Sequence, residues 1–283
     1  MYTLIAENKY KQQIELTHNR NYSISEITGF DPAEANINSS HNAGADGAVY
    51  NSSYIKEREI TITLNINYPA EQNRVDLYKY FKTKFPVRLY YKTSLRDVYI
   101  DGYVTNIDVS YFDQKQIVQI AVKCTLPHLI GINKTEKEFA NVVALFEFPF
   151  TIEAAGIPFS ELLPYSETNI VNYGDIDAGT IIRIHATGSV LNPTIYNVKT
   201  NEFLKINIEM EAGDEIFINT TRGEKEITLL RSGVESGIVG LLEEGSTWFQ
   251  LSPGDNVFTL STSDHDLSNC FVTFEFNQLY QGV

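Results

Sequence analysis

The sequence predicts a mainly β chain in two domains, and three observations carry that prediction. Tyr (17) and Phe (16) are abundant against a single Trp, and enrichment in aromatic, Ile, Val and Thr residues suits half-buried pleated surfaces. Polar and apolar residues alternate through short runs in both halves, which is the period of a strand. Charge is also divided unevenly: residues 1–128 hold 14 Lys/Arg and 14 Asp/Glu, while residues 129–283 hold 8 and 22 and so carry the whole net charge of −14. A step of that size near residue 128 predicts a domain boundary, and 283 residues with 43% hydrophobic content can fill two medium cores. The expected division is a domain over 1–128, a linker over 129–145 and a second domain over 146–283.

In the first half, alternation predicts strands at 2–7, 11–18, 22–28, 57–66, 86–91, 97–109 and 115–125. The clearest run is EREITITLNI, where Ile60, Ile62, Leu64 and Ile66 share one face and Glu59, Thr61, Thr63 and Asn65 share the other. One helix interrupts the strands: Pro69 suits a first helical turn, Arg74, Leu77, Tyr78 and Phe81 recur at helical spacing, and Pro86 forbids continuation. Residues 29–56 are long, polar and rich in Gly, Asn and Ser. Connections of this length without structure of their own are uncommon in compact domains, so the segment is a candidate arm that reaches a neighbouring subunit.

In the second half, short strands are predicted at 146–153, 168–174, 180–187, 193–198, 202–209, 214–219, 225–231, 247–251, 255–262 and 270–276. Regular short strands with turns between them suggest a sandwich. EAGDEIFIN at 211–219 and SPGDNVFTL at 252–260 echo one another, each setting a Gly-Asp turn before an alternating strand.

The residues that could carry chemistry do not converge. The five His (18, 41, 128, 185, 265) are scattered without metal-ligand spacing. Asp264-His265-Asp266 lies between strands, where a turn is expected. Carboxylates recur in pairs at Asp175/Asp177, Glu209/Glu211 and Glu243/Glu244, but i,i+2 pairs in a strand share its solvent face, and the pairs are not read as a hydrolytic site. NAGADGA lacks the strand-to-helix context and the Lys of a phosphate loop. Cys124 and Cys270 lie in different predicted domains and read as small buried apolar residues. The expectation is a non-enzyme with no metal and no cofactor, without specific nucleic-acid binding or membrane insertion, made in the cytoplasm. Trp248 can stack on a sugar ring, although a lone aromatic in a strand more often serves the core; a carbohydrate-binding, lectin-like adhesion protein is therefore the alternative function.

The run ITGFDPAEANINSSHNAGADGAVYNSSYIKEREITITLNI, followed by PAEQNRVDLYKYFKTKFPVRLYY and RDVYIDGYVTNIDVSYFDQKQIVQIAVKC, resembles the N-terminal domain of the distal tail proteins of long-tailed bacteriophages. The later NYGDIDAGTIIRIHATGSVLNPTIYNV, EMEAGDEIFINT and STWFQLSPGDNVFTL resemble that family's C-terminal domain, in the same order. The resemblance implies an N-terminal split β-barrel with a belt-like arm, here residues 30–57, and a helix at 69–84. It implies a C-terminal galectin-like β-sandwich that is not generally a working lectin. It further implies a virion protein forming a ring, usually a hexamer, at the distal end of the tail tube, as a baseplate hub for the tube protein and for tail-tip, tail-fibre or receptor-binding proteins. Within the arm, Asn36, Asn38, Gly44, Asp46, Gly47, Tyr50 and Tyr54 are the expected contact residues.

Overall fold

The computed structural model describes residues 2–44, 46–113, 115–139, 142–144, 160–162 and 166–283. Among the described residues it is mainly β with one α-helix, and it divides into two compact units, Met1–Asn133 with Leu279–Val283, and Lys134–Gln278.

The first unit contains β1 (Thr3–Asn8), β2 (Gln13–Glu15), β3 (Tyr22–Thr28), β4 (Ala35–Ser40), β5 (Val49–Ile55) and β6 (Arg58–Ile66). These are followed by α1 (Ala70–Tyr80), β7 (Pro86–Lys92), β8 (Asp97–Val109), β9 (Ile117–Cys124) and the start of β10 (Leu129–Glu138). Antiparallel pairing runs β2-β1-β7-β8-β9-β6-β3. Among the described residues no ladder joins β2 to β3, so the sheet is an open path rather than a closed barrel. Strand alternation sends Leu4, Ile60, Ile62, Leu64, Leu89, Val98, Val118, Ile120 and Val122 into one core with no exposed surface. At about 25 cal/mol per Å² of apolar surface, that shared burial is the main stabilising term of the unit.

The helix ends four residues before the predicted limit of 84. Phe81 sits at its C-cap in extended geometry (φ −111°, ψ 101°), with its N–H still donating to Leu77 O, and its ring is buried. The core takes the Phe81 ring, and that turns the chain out of the helix. Asn73, which no apolar pattern flags, is buried as well: its Nδ2 donates to Asn67 O at 2.9 Å, and its carbonyl accepts from Tyr22 Oη at 2.7 Å. Residues 129–145, read from the sequence as a linker, begin with β10, where Leu129 and Gly131 are buried and Ile130 pairs with Tyr99.

Next come β11 (Val142–Ala144) and β12 (Ser160–Leu162), which pair with each other. The predicted strand at 146–153 lies outside the described residues. The remaining strands are β13 (Ser166–Asn172), β14 (Ile181–Ala186), β15 (Val190–Leu191), β16 (Thr194–Asn197), β17 (Glu202–Lys205), β18 (Glu209–Met210), β19 (Glu215–Asn219), β20 (Glu226–Arg231), β21 (Val234–Gly237), β22 (Gly254–Ser261) and β23 (Cys270–Tyr280). One sheet runs β23-β14-β19-β20-β21 and a second runs β13-β22-β16-β17. They face each other through Phe258 of β22 and Phe274 of β23, whose ring centroids are 5.0 Å apart, with Phe249 on Phe258 at 5.3 Å. This is a β-sandwich core. Cys270, like Cys124 in the first unit, is a buried thiol outside any disulfide, and burial pushes each up to about 12.

Two predicted strands are corrected. The run 202–209 splits, because Ile206 leaves β17 to bridge Leu242, and β18 starts afresh against β15. Residues 247–251 form no strand: only Leu251 bridges, to Ala178, while Thr247 N donates to Phe203 O and the Gln250 side chain to Thr220 O. The backbone is satisfied by scattered partners rather than by a ladder.

The two echoed turns are real, with Gly213 at φ +90° and Gly254 at φ +91°, a region glycine enters without strain. They are capped by different residues. In the first, Asp214 Oδ2 accepts from Glu211 N; in the second, Asn256 Oδ1 accepts from Ser252 N. Asp264-His265-Asp266 likewise forms a turn, with His265 at φ +59° donating its N–H to Thr262 O.

Candidate assembly surfaces

The predicted arm is a two-stranded β-hairpin, not an irregular loop. Among the described residues β4 and β5 pair only with each other, Asn36 opposite Tyr54 and Asn38 opposite Ser52, with a bulge after Asn38 that brings Ser39 opposite Tyr50. The hairpin carries all seven expected contact residues. Asn36 Nδ2 donates to Asn38 Oδ1 and Asn38 Nδ2 to Ser52 Oγ, so Asn36, Asn38, Ser52 and Tyr54 share a polar face. The opposite face carries Ala35, Ile37, Tyr50 and Ile55. Gly44 (φ +85°) and Gly47 (φ +90°) turn the tip around Asp46, with open space about both.

Both faces of this ribbon meet solvent. Ile37 is 65% exposed, Tyr50 63% and Tyr54 57%, and Val49 and Ile55 are exposed with them. A lone two-stranded hairpin is marginal in water, and a ribbon showing large apolar side chains on both faces gains stability chiefly by being covered. Ile37, Val49 and Ile55 were missed from the sequence, although Ile37 and Ile55 lie on one pleat.

The hairpin's root, by contrast, is rigidly built. Arg58, at the start of β6, is 3% exposed. Its guanidinium donates to Gly29 O (2.6 Å), Asp31 O (2.7 Å), Pro127 O (2.7 Å) and Gln281 O (2.5 Å). All four acceptors are main-chain oxygens, so one cation ties together the entry to the arm, the connection between β9 and β10 and residues 279–283. Arg96 donates to Gly282 O and stacks on Tyr280, with its guanidinium 4.5 Å from the ring centroid, and Val283 N donates to Phe30 O. Phe30 in turn stacks on Tyr91 at 4.7 Å. Gly29 (φ +93°) lies so close to β6 that a Cβ there would sit 2.1 Å from Glu59 O. At the far side of the root, Lys56 and Glu34 close an exposed ion pair at 2.9 Å, worth little by itself.

Trp248, expected in the core, is half-buried at the wall of a cleft in the second unit. With no strand at 247–251 to direct it inward, only Phe249 and Leu251 reach the core.

The model of the phage tail protein RIFT-related domain matches residues 9–125, and that of the siphovirus-type tail component C-terminal domain matches residues 173–280. In structure, the chain is similar to the Dit protein of phage SPP1, described as a paradigm of the hub adsorption apparatus in phages infecting Gram-positive bacteria. The TM-score is 0.66 and the identity 15%, over 99% of each chain. The chain belongs to the siphovirus distal tail proteins. A chain of the phage P2 baseplate in its activated conformation shares the fold of this tail protein at a TM-score of 0.50 and 11% identity, over 100% of both chains. A search of the curated proteins found no match. These matches are to structural tail and baseplate proteins, so the tail protein is a component of the virion tail.

Proposed function

We propose that this tail protein closes into a ring, a hexamer, at the distal end of the tail tube and acts there as the hub of the baseplate. Each β4–β5 arm lies on a neighbouring copy, with Ile37, Tyr50, Tyr54 and the asparagines Asn36 and Asn38 as its contacts. The second unit offers a face to tail-tip, tail-fibre or receptor-binding proteins. The protein is synthesised in the host cytoplasm and has no catalytic role.

The observation that carries this reading is collinearity: the two tail-family domains match in order, and the fold follows that of a tail hub protein across 99% of the chain. The arm supports it independently, since a ribbon exposed on both faces has surface to give to a neighbour. A head-to-tail contact of that kind generates a ring when its rotation closes. Negative-stain images of the purified protein test the reading. Rings with a central hole are expected, and single particles of monomer size, alone and with the tail tube protein added, contradict it.

A further inference from the structure

The second unit holds a cleft of about 300 Å³ beside Trp248 that the hub role leaves unused. Its polar groups are held in place by the fold. Asn197, at the end of β16, is 4% exposed, and its Oδ1 accepts from Lys199 N (3.0 Å) and Thr200 N (3.2 Å). That fixes the amide of this cleft-lining residue, and no described protein group accepts from its Nδ2. Gln250 is the mirror case. Its Nε2 is committed to Thr220 O (2.7 Å) and Phe249 O (2.9 Å), leaving Oε1 as a free acceptor. Glu202 is oriented by Thr200 Oγ1 at 2.8 Å, and Asp177 and Lys199 complete the rim. Trp248 supplies an aromatic wall whose indole N–H has no described protein acceptor, with Lys225 Nζ 5.5 Å from the ring centroid.

We propose that this cleft binds a neutral pyranose sugar, with Trp248 as the stacking surface and Asn197, Glu202 and Gln250 as the hydroxyl-reading groups. An aromatic ring offers an apolar face to the C–H side of a sugar. Fixed donors and fixed acceptors side by side match hydroxyls, each of which both donates and accepts. Asp177 and Glu202 bring carboxylates to the cleft beside Lys199, while Arg222 pairs with Asp177 at 3.8 Å and Lys225 lies over the Trp248 ring, so the charge is mixed and suits a neutral ligand. The volume is at the small end for ligand sites, suited to one or two rings rather than a peptide segment. This departs from the expectation that the family's sandwich is not a working lectin. Repeated around a ring, even a weak site gains avidity for a polysaccharide surface; that consequence, unlike the site itself, rests on the ring proposed above.

Trp248 is the only Trp in the chain, so tryptophan emission, excited selectively over the 17 tyrosines, reports on the surroundings of this one side chain. The purified full-length protein is titrated with glucose, galactose, rhamnose, N-acetylglucosamine and, as a control, inorganic phosphate. One sugar should shift the emission saturably with a Kd on the order of 1–10 mM, the range open to so small a ligand. Glu202→Ala should weaken it about tenfold, the loss of one charged hydrogen bond. Lys199→Ala, on the same rim, serves as a second variant should Glu202→Ala fail to fold. Absence of a saturable shift with every sugar, a shift that neither rim variant weakens, or a response to phosphate in place of sugar overturns the assignment.

Discussion

The guanidinium of Arg58 donates to the main-chain oxygen of Gln281 at 2.5 Å, joining residues 223 positions apart. Through the same group Gly29 O and Asp31 O are held at the entry to the arm, so the chain's last residues help to set where the hairpin leaves the first unit. The arm presents its contacts from a fixed root, and pre-organisation of this kind lowers the ordering cost of association.

Arg58→Met should therefore do more than remove one charge. It leaves main-chain oxygens buried without a donor, at a cost of about 1–3 kcal/mol for each that water cannot reach. Urea unfolding of the variant should show a lower midpoint, and amide exchange should quicken at residues 29–34 and 279–283. An unchanged midpoint would show that the four hydrogen bonds do not hold the root.

Three glycines with positive φ should respond differently to alanine. Gly44→Ala and Gly47→Ala meet open space, so they should cost only the left-handed strain of about 1–2 kcal/mol each, confined to the hairpin tip. Gly29→Ala adds a Cβ against Glu59 O and forces β6 or the arm's root to move. Thermal melts should place Gly29→Ala well below the other two, and equal melting temperatures would remove the root from the account.

Much of this architecture is legible in the sequence, and the exceptions have physical reasons. Residues 58–66 read correctly because one side of β6 meets the core and the other stays more open, giving a clean period of two. The same alternation puts Arg58 in phase with Ile60 and Ile62; a cation on a buried face is a signal for the root that the sequence reading passed over. The β4–β5 ribbon escaped because it has no buried face to impose a pattern. Residues 247–251 alternate like a strand, yet their backbone finds partners in Phe203 and Ala178 instead of a ladder. The Trp248 cleft was only partly legible: the indole stood out, but Asn197 and Gln250 join it through folding alone.

In the second unit, Asp214 is buried and receives Arg231 Nη2 at 2.6 Å, while Arg231 also donates to Glu209 O. The hydrogen bond from Arg231 is the main reason the Asp214 carboxyl is held below its usual range, opposed by burial. A carboxyl with a lowered folded pKa stabilises fully above its unfolded value of about 4 and loses that contribution as pH falls through the folded value. Asp214→Asn should lower the melting temperature by several degrees at pH 7, with the gap to wild type closing as pH drops below about 4. A gap that is constant with pH would mean the ionised form contributes nothing.

The measurement that reaches the central claim most directly is the mass of the assembly, by light scattering, for the wild type and for a variant whose residues 36–53 are replaced by a short Gly-Ser linker. The wild type should have the mass of a closed ring. The variant should fall to monomer while melting within a few degrees of wild type, because the exchanged residues bury little. A variant that still forms the full ring would contradict the arm as the ring's clasp, and a wild type that stays monomeric with the tube protein present would contradict the hub itself.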